Sequence, residues 1–258
     1  MYLAAIVFGA MVGSFLNVCI LRVPKEESIV FPASHCMKCR KVLAWFDNIP
    51  ILSFLFLKGR CRQCHKKISW QYPIVEAMTA LTFTGFYVYF GLTVQGAVYL
   101  VLTLALLVQS VIDFRYQIIP DGITLPGIVV GVLLSGFFPS LHGQSVWWMG
   151  LKASLIGLFL GGGFLYALGT IAEWILKKEA MGGGDVKLLA MIGSLLGWHG
   201  VLWTLFLSSL LGAVIGLYFK LKTGEEKIPF GPYIAMGAVS YLFFGPTVFN
   251  AYFDILKF

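Results

Sequence analysis

Long apolar stretches recur along this chain, and they constrain its fold more than any other feature of the sequence. A helix needs about 20 predominantly apolar residues to cross the hydrocarbon core of a bilayer. Of the 258 residues, 59% are hydrophobic and only 12% are charged, which is about half the charged fraction of a soluble domain. The sequence therefore predicts an all-α, polytopic integral membrane protein whose first partner is the lipid bilayer.

The apolar stretches divide into about eight predicted transmembrane helices. The first one lacks the basic start and the small-residue cleavage site of a signal sequence, so we interpret it as a retained span. The predicted spans are 1–21, 73–91, 95–112, 123–141, 150–175, 186–198, 201–219 and 231–252. We expect three regions: a first transmembrane helix at 1–21, a loop at 22–72, and a seven-helix membrane domain at 73–258.

The basic residues are concentrated in a few loops. Of the 19 Lys and Arg residues, 17 lie in or beside the loops at 22–72, 113–122, 176–185 and 220–230. Loops on the cytoplasmic side of a membrane carry an excess of Lys and Arg. We therefore predict that these four loops are cytoplasmic and that both termini are outside. The same distribution argues against a nucleic-acid partner, although the net charge is +7.

The first loop contains two C-x-x-C pairs, a spacing that places two thiolates on one metal ion. Two such pairs complete the closed tetrahedral site that is typical of structural zinc. A disulfide framework is the weaker alternative, because the cytosol is reducing. The predicted zinc ligands are Cys36, Cys39, Cys61 and Cys64.

Two aspartates lie at the ends of predicted spans, where acidic residues are costly and often functional. Asp113 follows the third span, and Asp185 precedes the sixth, directly after three glycines. The predicted topology puts both at the same membrane edge, where two carboxyl groups can share a proton and act as general base and general acid. Spacing alone equally allows a helix cap, a snorkelling charge and a flexible glycine connector.

The order of these motifs resembles that of the bacterial type IV prepilin peptidases. Besides the cysteine pairs, the matching segments are residues 13–24, 47–50, 72–76, 113–121, 181–187 and 229–233. The resemblance implies an enzyme with eight spans in the bacterial inner membrane. It implies that this enzyme cleaves the leader from prepilins or pseudopilins at the cytoplasmic face.

The resemblance also assigns roles to individual residues. It makes Asp113 and Asp185 the catalytic aspartates. Gly182 and Gly184 are supporting residues of the Gly-x-Gly-Asp element that ends at Asp185. Asp121 is a secondary candidate, which we interpret as a turn or helix-cap acid with a supporting role.

A second activity is implied by the long cysteine loop. Family members that have it often methylate the new N-terminal amine with S-adenosylmethionine, so residues 22–72 are a candidate methyltransferase region. The loop contains no glycine-rich nucleotide fingerprint. Glu76 could neutralise a cation there, or it could pair with Arg22 or a nearby lysine, and both interpretations are open. Gln71 stands where many relatives carry an arginine.

Two rival classes explain less of the sequence. A transporter or proton pathway would place its acids near the bilayer midplane and would often contain internal repeats. The two aspartates lie instead at predicted span ends, and no duplication is evident. A zinc-knuckle adaptor without catalysis would account for the cysteines but not for the paired aspartates and the glycine run.

Overall fold

The computed structural model describes residues 1–177, 182–223 and 229–256, and these are almost entirely helical. Strand pairing in that described part is limited to two isolated antiparallel bridges. The helices are α1 (Tyr2–Arg22), α2 (Leu52–Phe56), α3 (Gln71–Phe90), α4 (Val94–Tyr116), α5 (Asp121–Phe137), α6 (Trp147–Leu158), α7 (Leu165–Leu176), α8 (Gly183–Thr223) and α9 (Gly231–Leu256). The predicted all-α class is confirmed.

Five of the described helical segments are long and apolar enough to cross a bilayer. They are Tyr2–Lys25, Val94–Tyr116, Trp147–Ile175, Gly183–Phe219 and Gly231–Phe249, and Asp121–Phe137 is a shorter apolar helix. This supports a polytopic membrane protein, while the number of eight crossings stays a prediction. Parts of the predicted loops at 176–185 and 220–230 lie outside the described residues, as do Met181 and Lys257.

The chain divides into two compact units, and the first comprises Met1–Leu104. In it α1 packs along α3 through small residues on α1. A Cβ atom on Gly9 would lie 2.8 Å from the Cα of Ala80, and one on Gly13 would lie 2.7 Å from the Cα of Glu76. Glycines at this one-turn spacing let two helix backbones touch. They bring the start of α3 and its acid close against α1.

The second unit, Ala105–Phe258, is organised around α8, which packs against α5, α6 and α9. A π-helical turn at Phe159–Phe164 joins α6 to α7, so the predicted span at 150–175 is one interrupted helix. Gly161 in this turn lies against α8, where an added Cβ would be 2.5 Å from the carbonyl oxygen of Leu189. Close packing of the turn on α8 therefore depends on that missing side chain.

Helix α8 is broken near its middle at Gly197, whose φ of 67° and ψ of −173° are not helical. The break falls at the end of the predicted span 186–198, so the two predicted spans meet here. It is accompanied by side-chain hydrogen bonds to the carbonyl oxygen of Ser194, donated by Ser135 at 3.0 Å and Ser154 at 2.7 Å. Hydroxyl groups from α5 and α6 thus satisfy backbone polarity beside the break.

Candidate functional site

Asp113 lies in the last turn of α4 and is buried, with 6% of its surface exposed. The backbone N–H of Gly231 donates a hydrogen bond of 2.8 Å to its Oδ2 atom. Gly231 is the first residue of α9, so the N-terminal end of that helix faces this carboxyl group. A Cβ on Gly231 would also lie 2.8 Å from Oδ2. A larger residue would therefore have to displace the Asp113 carboxyl group or the start of α9.

Asp185 lies in the first turn of α8 and is half-buried. Its backbone N–H donates to the carbonyl oxygen of Gly182 at 3.0 Å. A Cβ on Gly182 would be 3.1 Å from the Oδ2 of Asp185, and one on Gly184 would be 2.9 Å from the Cβ of Ile119. The two glycines therefore leave room for the carboxyl group on one side and for the α4–α5 connection on the other.

The structure brings Asp113 and Asp185 together, although they belong to different helices. The two carboxylates are close enough to repel each other electrostatically. Each lies beside the N-terminal end of a helix, Asp113 at α9 and Asp185 at α8, where unpaired N–H groups favour negative charge. Two carboxyl groups in such a pair can hold one proton between them and work as general acid and general base.

Asp121, interpreted from the sequence as a turn or helix-cap acid, lies at the start of α5. The N-cap position of α5 is Pro120, and Asp121 is the first helical residue, so it is a first-turn acid and not a cap. The ammonium group of Lys187 lies 2.8 Å from each of its carboxylate oxygens. Lys187 is two residues beyond Asp185 on α8, and this exposed ion pair links α5 to the helix that carries Asp185.

The four cysteines predicted as metal ligands form a cluster in the first unit. Their sulfur atoms all lie within 4.8 Å of one another, and those of Cys36 and Cys64 are 3.9 Å apart. A tetrahedral zinc–thiolate site with bonds of about 2.3 Å would hold its sulfurs about 3.8 Å apart. The cluster could therefore hold one metal ion of that kind.

Each C-x-x-C pair sits in a small hairpin of the same construction. The N–H of Cys36 donates to the carbonyl of Lys41, and the N–H of Cys61 donates to that of Lys66. Burial raises the pKa of the Cys36 thiol, but hydrogen bonds from the N–H groups of Cys39 and Lys38 and from the thiols of Cys61 and Cys39 together outweigh it and lower the pKa to about 6. These donors favour the thiolate, which is the form that binds a metal.

An ion pair fastens the second hairpin to the segment between the two pairs. Arg62 donates to Asp47 through Nε at 3.0 Å and through Nη2 at 2.8 Å. The Asp47 side chain is 7% exposed, and the guanidinium also lies 5.1 Å from the ring centre of Phe46. A guanidinium that donates two hydrogen bonds to one carboxylate fixes the relative orientation of the two groups as well as the distance between them. Asp47, in the segment 47–50 that the sequence analysis singled out, thus positions the second cysteine hairpin.

Glu76 lies on α3 against α1 and is buried, with 6% exposed. Its Oε2 atom accepts a hydrogen bond of 2.7 Å from the N–H of Ile51, and the hydroxyl of Ser14 donates a second one. No ion pair joins it to Arg22 in the described part of the chain. Of the two open interpretations, the structure therefore shows no support for pairing with Arg22.

Three groups at these sites carry contacts that the sequence analysis did not assign to them. They are the N–H of Gly231, the ammonium of Lys187 and the side chain of Ile119. The first lies in segment 229–233 and the second in segment 181–187, both of which were recognised as motifs. The motifs that contain Gly231 and Lys187 were therefore visible in the sequence. The identity of a residue, however, does not reveal that its backbone donates a hydrogen bond or that its side chain makes a packing contact.

Comparison with protein families gives two matches, on successive parts of the chain. The Bacterial Peptidase A24 N-terminal domain matches residues 7–90, and the Type IV leader peptidase family matches residues 100–217. The first match lies within the first structural unit. The second contains both Asp113 and Asp185.

Curated relatives extend over most of the chain. A prepilin leader peptidase/N-methyltransferase from Pseudomonas putida is 34% identical over 98% of this chain and 94% of the relative. One of the same name from Myxococcus xanthus (strain DK1622) is 41% identical over 85% of this chain and 63% of the relative. A type 4 prepilin-like proteins leader peptide-processing enzyme from Escherichia coli O78:H11 is 36% identical over 93% of this chain. No solved structure matches the chain.

Proposed function

The chain belongs to the type IV leader peptidase family, and from this membership we propose that it removes the leader peptide of type IV prepilins or pseudopilins and then N-methylates the new N-terminus. In this proposal the protein is a multi-pass enzyme of the bacterial inner membrane. Cleavage takes place at the cytoplasmic face of the membrane, because the positive-inside rule puts the loops that flank Asp113 and Asp185 on that side.

The proposed catalytic groups are Asp113 and Asp185. The observation that carries this assignment is that their carboxyl groups, at the ends of α4 and α8, lie within electrostatic range of each other. Gly231 supports it by donating its N–H to Asp113. Asp121 takes a positioning role, because its contact is the ion pair with Lys187.

The chemistry needs one carboxylate and one carboxylic acid. The carboxylate removes a proton from water while the water oxygen attacks the scissile carbonyl carbon, and the acid gives its proton to the carbonyl oxygen. When the tetrahedral intermediate collapses, the C–N bond breaks and the leaving amine receives a proton from the pair. Between Gly182 and Gly184, nothing lies within 4 Å of a Cβ added to Gly183, so an extended peptide backbone can approach the chain there.

The methylation half of the proposal belongs to the first unit. The donor that the resemblance implies, S-adenosylmethionine, would supply an electrophilic methyl group on a sulfonium centre. Glu76 is a buried acid that could face a cation, and a cleft of about 370 Å³ lies beside its partner Ser14. That volume is within the range of small-molecule sites, about 300–1,000 Å³, but Glu76 itself is not one of the residues that line the cleft.

The metal in the proposal is zinc in a structural role. Four thiolates close the coordination shell, which leaves no open position for water or substrate. The two hairpins have few apolar side chains to bury, so a metal would supply much of their folding free energy. Zinc here would hold the loop against α1 and α3 and would not take part in peptide cleavage.

The test combines both reactions in one measurement. Purified protein is incubated with a prepilin and S-adenosylmethionine, and mass spectrometry reads the N-terminus of the product. We expect a shortened chain with one added methyl group. An intact leader would overturn the peptidase proposal, and a shortened chain without the methyl group would overturn the methylation proposal alone.

A further inference from the structure

The cysteine loop contains an apolar stretch between its two cysteine pairs. Residues 49–57 carry no charge, and seven of the nine are large apolar residues. The stretch includes α2, on which Leu52, Leu55 and Phe56 share one face. All three are exposed, Phe56 by 83%. The stretch is too short to cross a bilayer, but a contiguous apolar face of this kind marks a contact surface.

A chain of contacts places the start of α2 beside the apolar part of α1. The N–H of Ile51, the N-cap residue of α2, donates a hydrogen bond of 2.7 Å to Oε2 of Glu76 on α3. Glu76 lies against Gly13, which is nine residues before the end of α1. Nine residues of helix rise about 13 Å, and α1 belongs to the segment Tyr2–Lys25, which is long and apolar enough to cross a bilayer. Ile51 is therefore level with the interior of α1 and not with its end.

From that level α2 runs back towards the start of α3. Its buried side contacts the N-cap residue of α3, because the rings of Phe54 and Trp70 have their centres 5.0 Å apart. Trp70 precedes Glu76 by six residues, a rise of about 9 Å. An exposed tryptophan at a helix end is typical of the membrane–water interface. Lys58 and Arg60 follow α2 and are exposed, so they can meet lipid phosphates there.

Another part of the loop also folds back along α1. Residues of α1 and of the segment 29–34 line a common cleft. The guanidinium of Arg22 donates to the carbonyl oxygens of Ser28 at 2.9 Å and Pro32 at 2.7 Å. The hydroxyl of Ser28 accepts a hydrogen bond from the N–H of Val30. Irregular backbone at membrane depth needs such partners from the protein itself, because lipid offers none.

We propose that residues 49–57 form a re-entrant segment in the leaflet on the side predicted to be cytoplasmic, with Leu52, Leu55 and Phe56 against lipid acyl chains. Glu76 accepts the N–H at the turn of this segment, and the two basic residues after α2 lie at the lipid phosphates. The inference goes beyond the proposed function, because it assigns a lipid-contact surface to a loop that the charge distribution alone placed in water.

The depth of the contact with Glu76 is the reason for choosing lipid as the occupant of this face. Large apolar side chains are favourable among acyl chains, and the start of α2 lies level with a helix that is apolar enough to be surrounded by them. The basic residues that follow α2 complement anionic headgroups at the boundary of the same leaflet.

The test measures what surrounds position 56 in the full-length protein, reconstituted in bilayers of phosphatidylcholine and phosphatidylglycerol. Trifluoromethylphenylalanine replaces Phe56, and its fluorine NMR signal is recorded with a nitroxide on the lipid acyl chains or with a gadolinium chelate in the water. We expect the signal to be lost with the nitroxide and to persist with the chelate. The matched control places the same label at Met37, an exposed residue of the first cysteine pair, where we expect the reverse.

Two results would overturn the proposal. A signal at position 56 that is lost with the chelate and persists with the nitroxide would place this face of α2 in water. A signal that neither agent broadens would show that protein covers the face, as in contact with a second copy of the chain. Both results leave the proposed function standing, because prepilin cleavage and methylation are measured separately.

Two substitutions of Glu76 test the contact at the turn. Glu76→Gln keeps an oxygen that can accept the N–H of Ile51, so the label at position 56 should stay in lipid. Glu76→Leu removes the acceptor and leaves this N–H unpaired where water is absent. The label at position 56 should then become accessible to the chelate, while the label at position 37 behaves as before. A label that stayed in lipid in Glu76→Leu would show that Glu76 does not hold α2.

Discussion

The candidate sites of the two units differ in how far apart their residues lie in the sequence. In Met1–Leu104 the four thiols come from one loop, and the most distant pair in contact, Cys36 and Cys64, is 28 residues apart. In Ala105–Phe258 the carboxyl of Asp113 contacts the N–H of Gly231, 118 residues further along. The first site is therefore local in sequence, whereas the second exists only when the ends of several helices meet.

This difference has consequences for what damages each site. A local hairpin keeps its ligands together through its own hydrogen bonds, and a metal then fixes them. A site at helix ends depends on packing along the whole length of each helix, so a small displacement anywhere is transmitted to it. We expect substitutions in the two units to have separable effects, and the predictions below test that separation.

The largest effect should come from the aspartates of the second unit. Asp113→Asn or Asp185→Asn should lower the rate of leader cleavage by about 10³-fold or more, because the pair loses its base or its acid. Methylation of a previously cleaved peptide should continue. Cleavage is followed by mass spectrometry of a prepilin.

Glu173 on α7 provides the matched control for these isosteric changes, since it is another acid of the same unit. Glu173→Gln should leave cleavage within about twofold of wild type. If either aspartate variant cleaved at the wild-type rate, the assignment of the catalytic pair would be wrong.

A second prediction concerns the helix end that faces Asp113. Gly231→Ala would place a Cβ 2.8 Å from the Asp113 Oδ2 atom and displace the start of α9. Misplacement on this scale costs about 10²-fold in rate. In Gly136→Ala, at a helical glycine with nothing within 4 Å of the added Cβ, cleavage should be unchanged. Equal activity of the two variants would show that the N–H of Gly231 has no part in positioning Asp113.

The third prediction addresses the local site. Replacing Cys36 and Cys61 by serine should release the metal, since each hairpin loses one thiolate. We expect about one zinc per chain in wild type by elemental analysis. Methyl transfer in the double variant should fall about tenfold, as for a lost structural contact of about 1.4 kcal/mol, and more than cleavage does.

Cys19 is a fifth cysteine, on α1 and outside the cluster, so Cys19→Ser is the control that should keep both metal and activity. A wild-type protein without metal would refute the zinc assignment. A double variant that loses cleavage and methyl transfer equally, while still folded, would remove the proposed independence of the two units.

The smallest effect is expected from Asp121→Asn. Its ion pair with Lys187 is exposed, and such pairs contribute about 0.2–1 kcal/mol. Cleavage should fall by no more than about fivefold. The Lys187→Gln variant should give the same small loss, and the double variant should add little, because both changes remove one interaction. A loss as large as that of Asp113→Asn would instead make Asp121 a member of the catalytic pair.

Much of the fold was predictable because its signals are local in the sequence. These signals are the length of each apolar stretch and the positions of the glycines and charged residues that bound it. Helix α1 begins and ends within a residue or two of the predicted span, and α9 begins at the predicted residue. The cysteine cluster followed from spacing in the same way. Asp185 was expected to begin a helix, and it lies in the first turn of α8, which begins two residues earlier, at Gly183.

What sequence reasoning could not provide depends on tertiary contacts. The break at Gly197 inside α8 and the π-turn at Phe159–Phe164 depend on packing against neighbouring helices. Asp121 was interpreted as a turn or helix-cap acid, and it lies one residue beyond the N-cap position of α5, since helix ends shift by a residue with little local signal. The hydrogen bond from Gly231 to Asp113 joins helices that are distant in sequence, and no spacing rule reports it.

The break at Gly197 also bears on how water reaches the aspartates. Residues 183–196 form a helical segment of about 14 residues, which rises about 21 Å. The hydrocarbon core of a bilayer is about 30 Å thick. In the topology predicted from the sequence this segment is a complete span, and we expect a span so much shorter than the hydrocarbon core to thin the bilayer around it and bring the polar surface towards the first turn of α8. Hydrolysis consumes one water molecule for every bond cleaved, and a local depression of the bilayer would supply it without any channel through the protein.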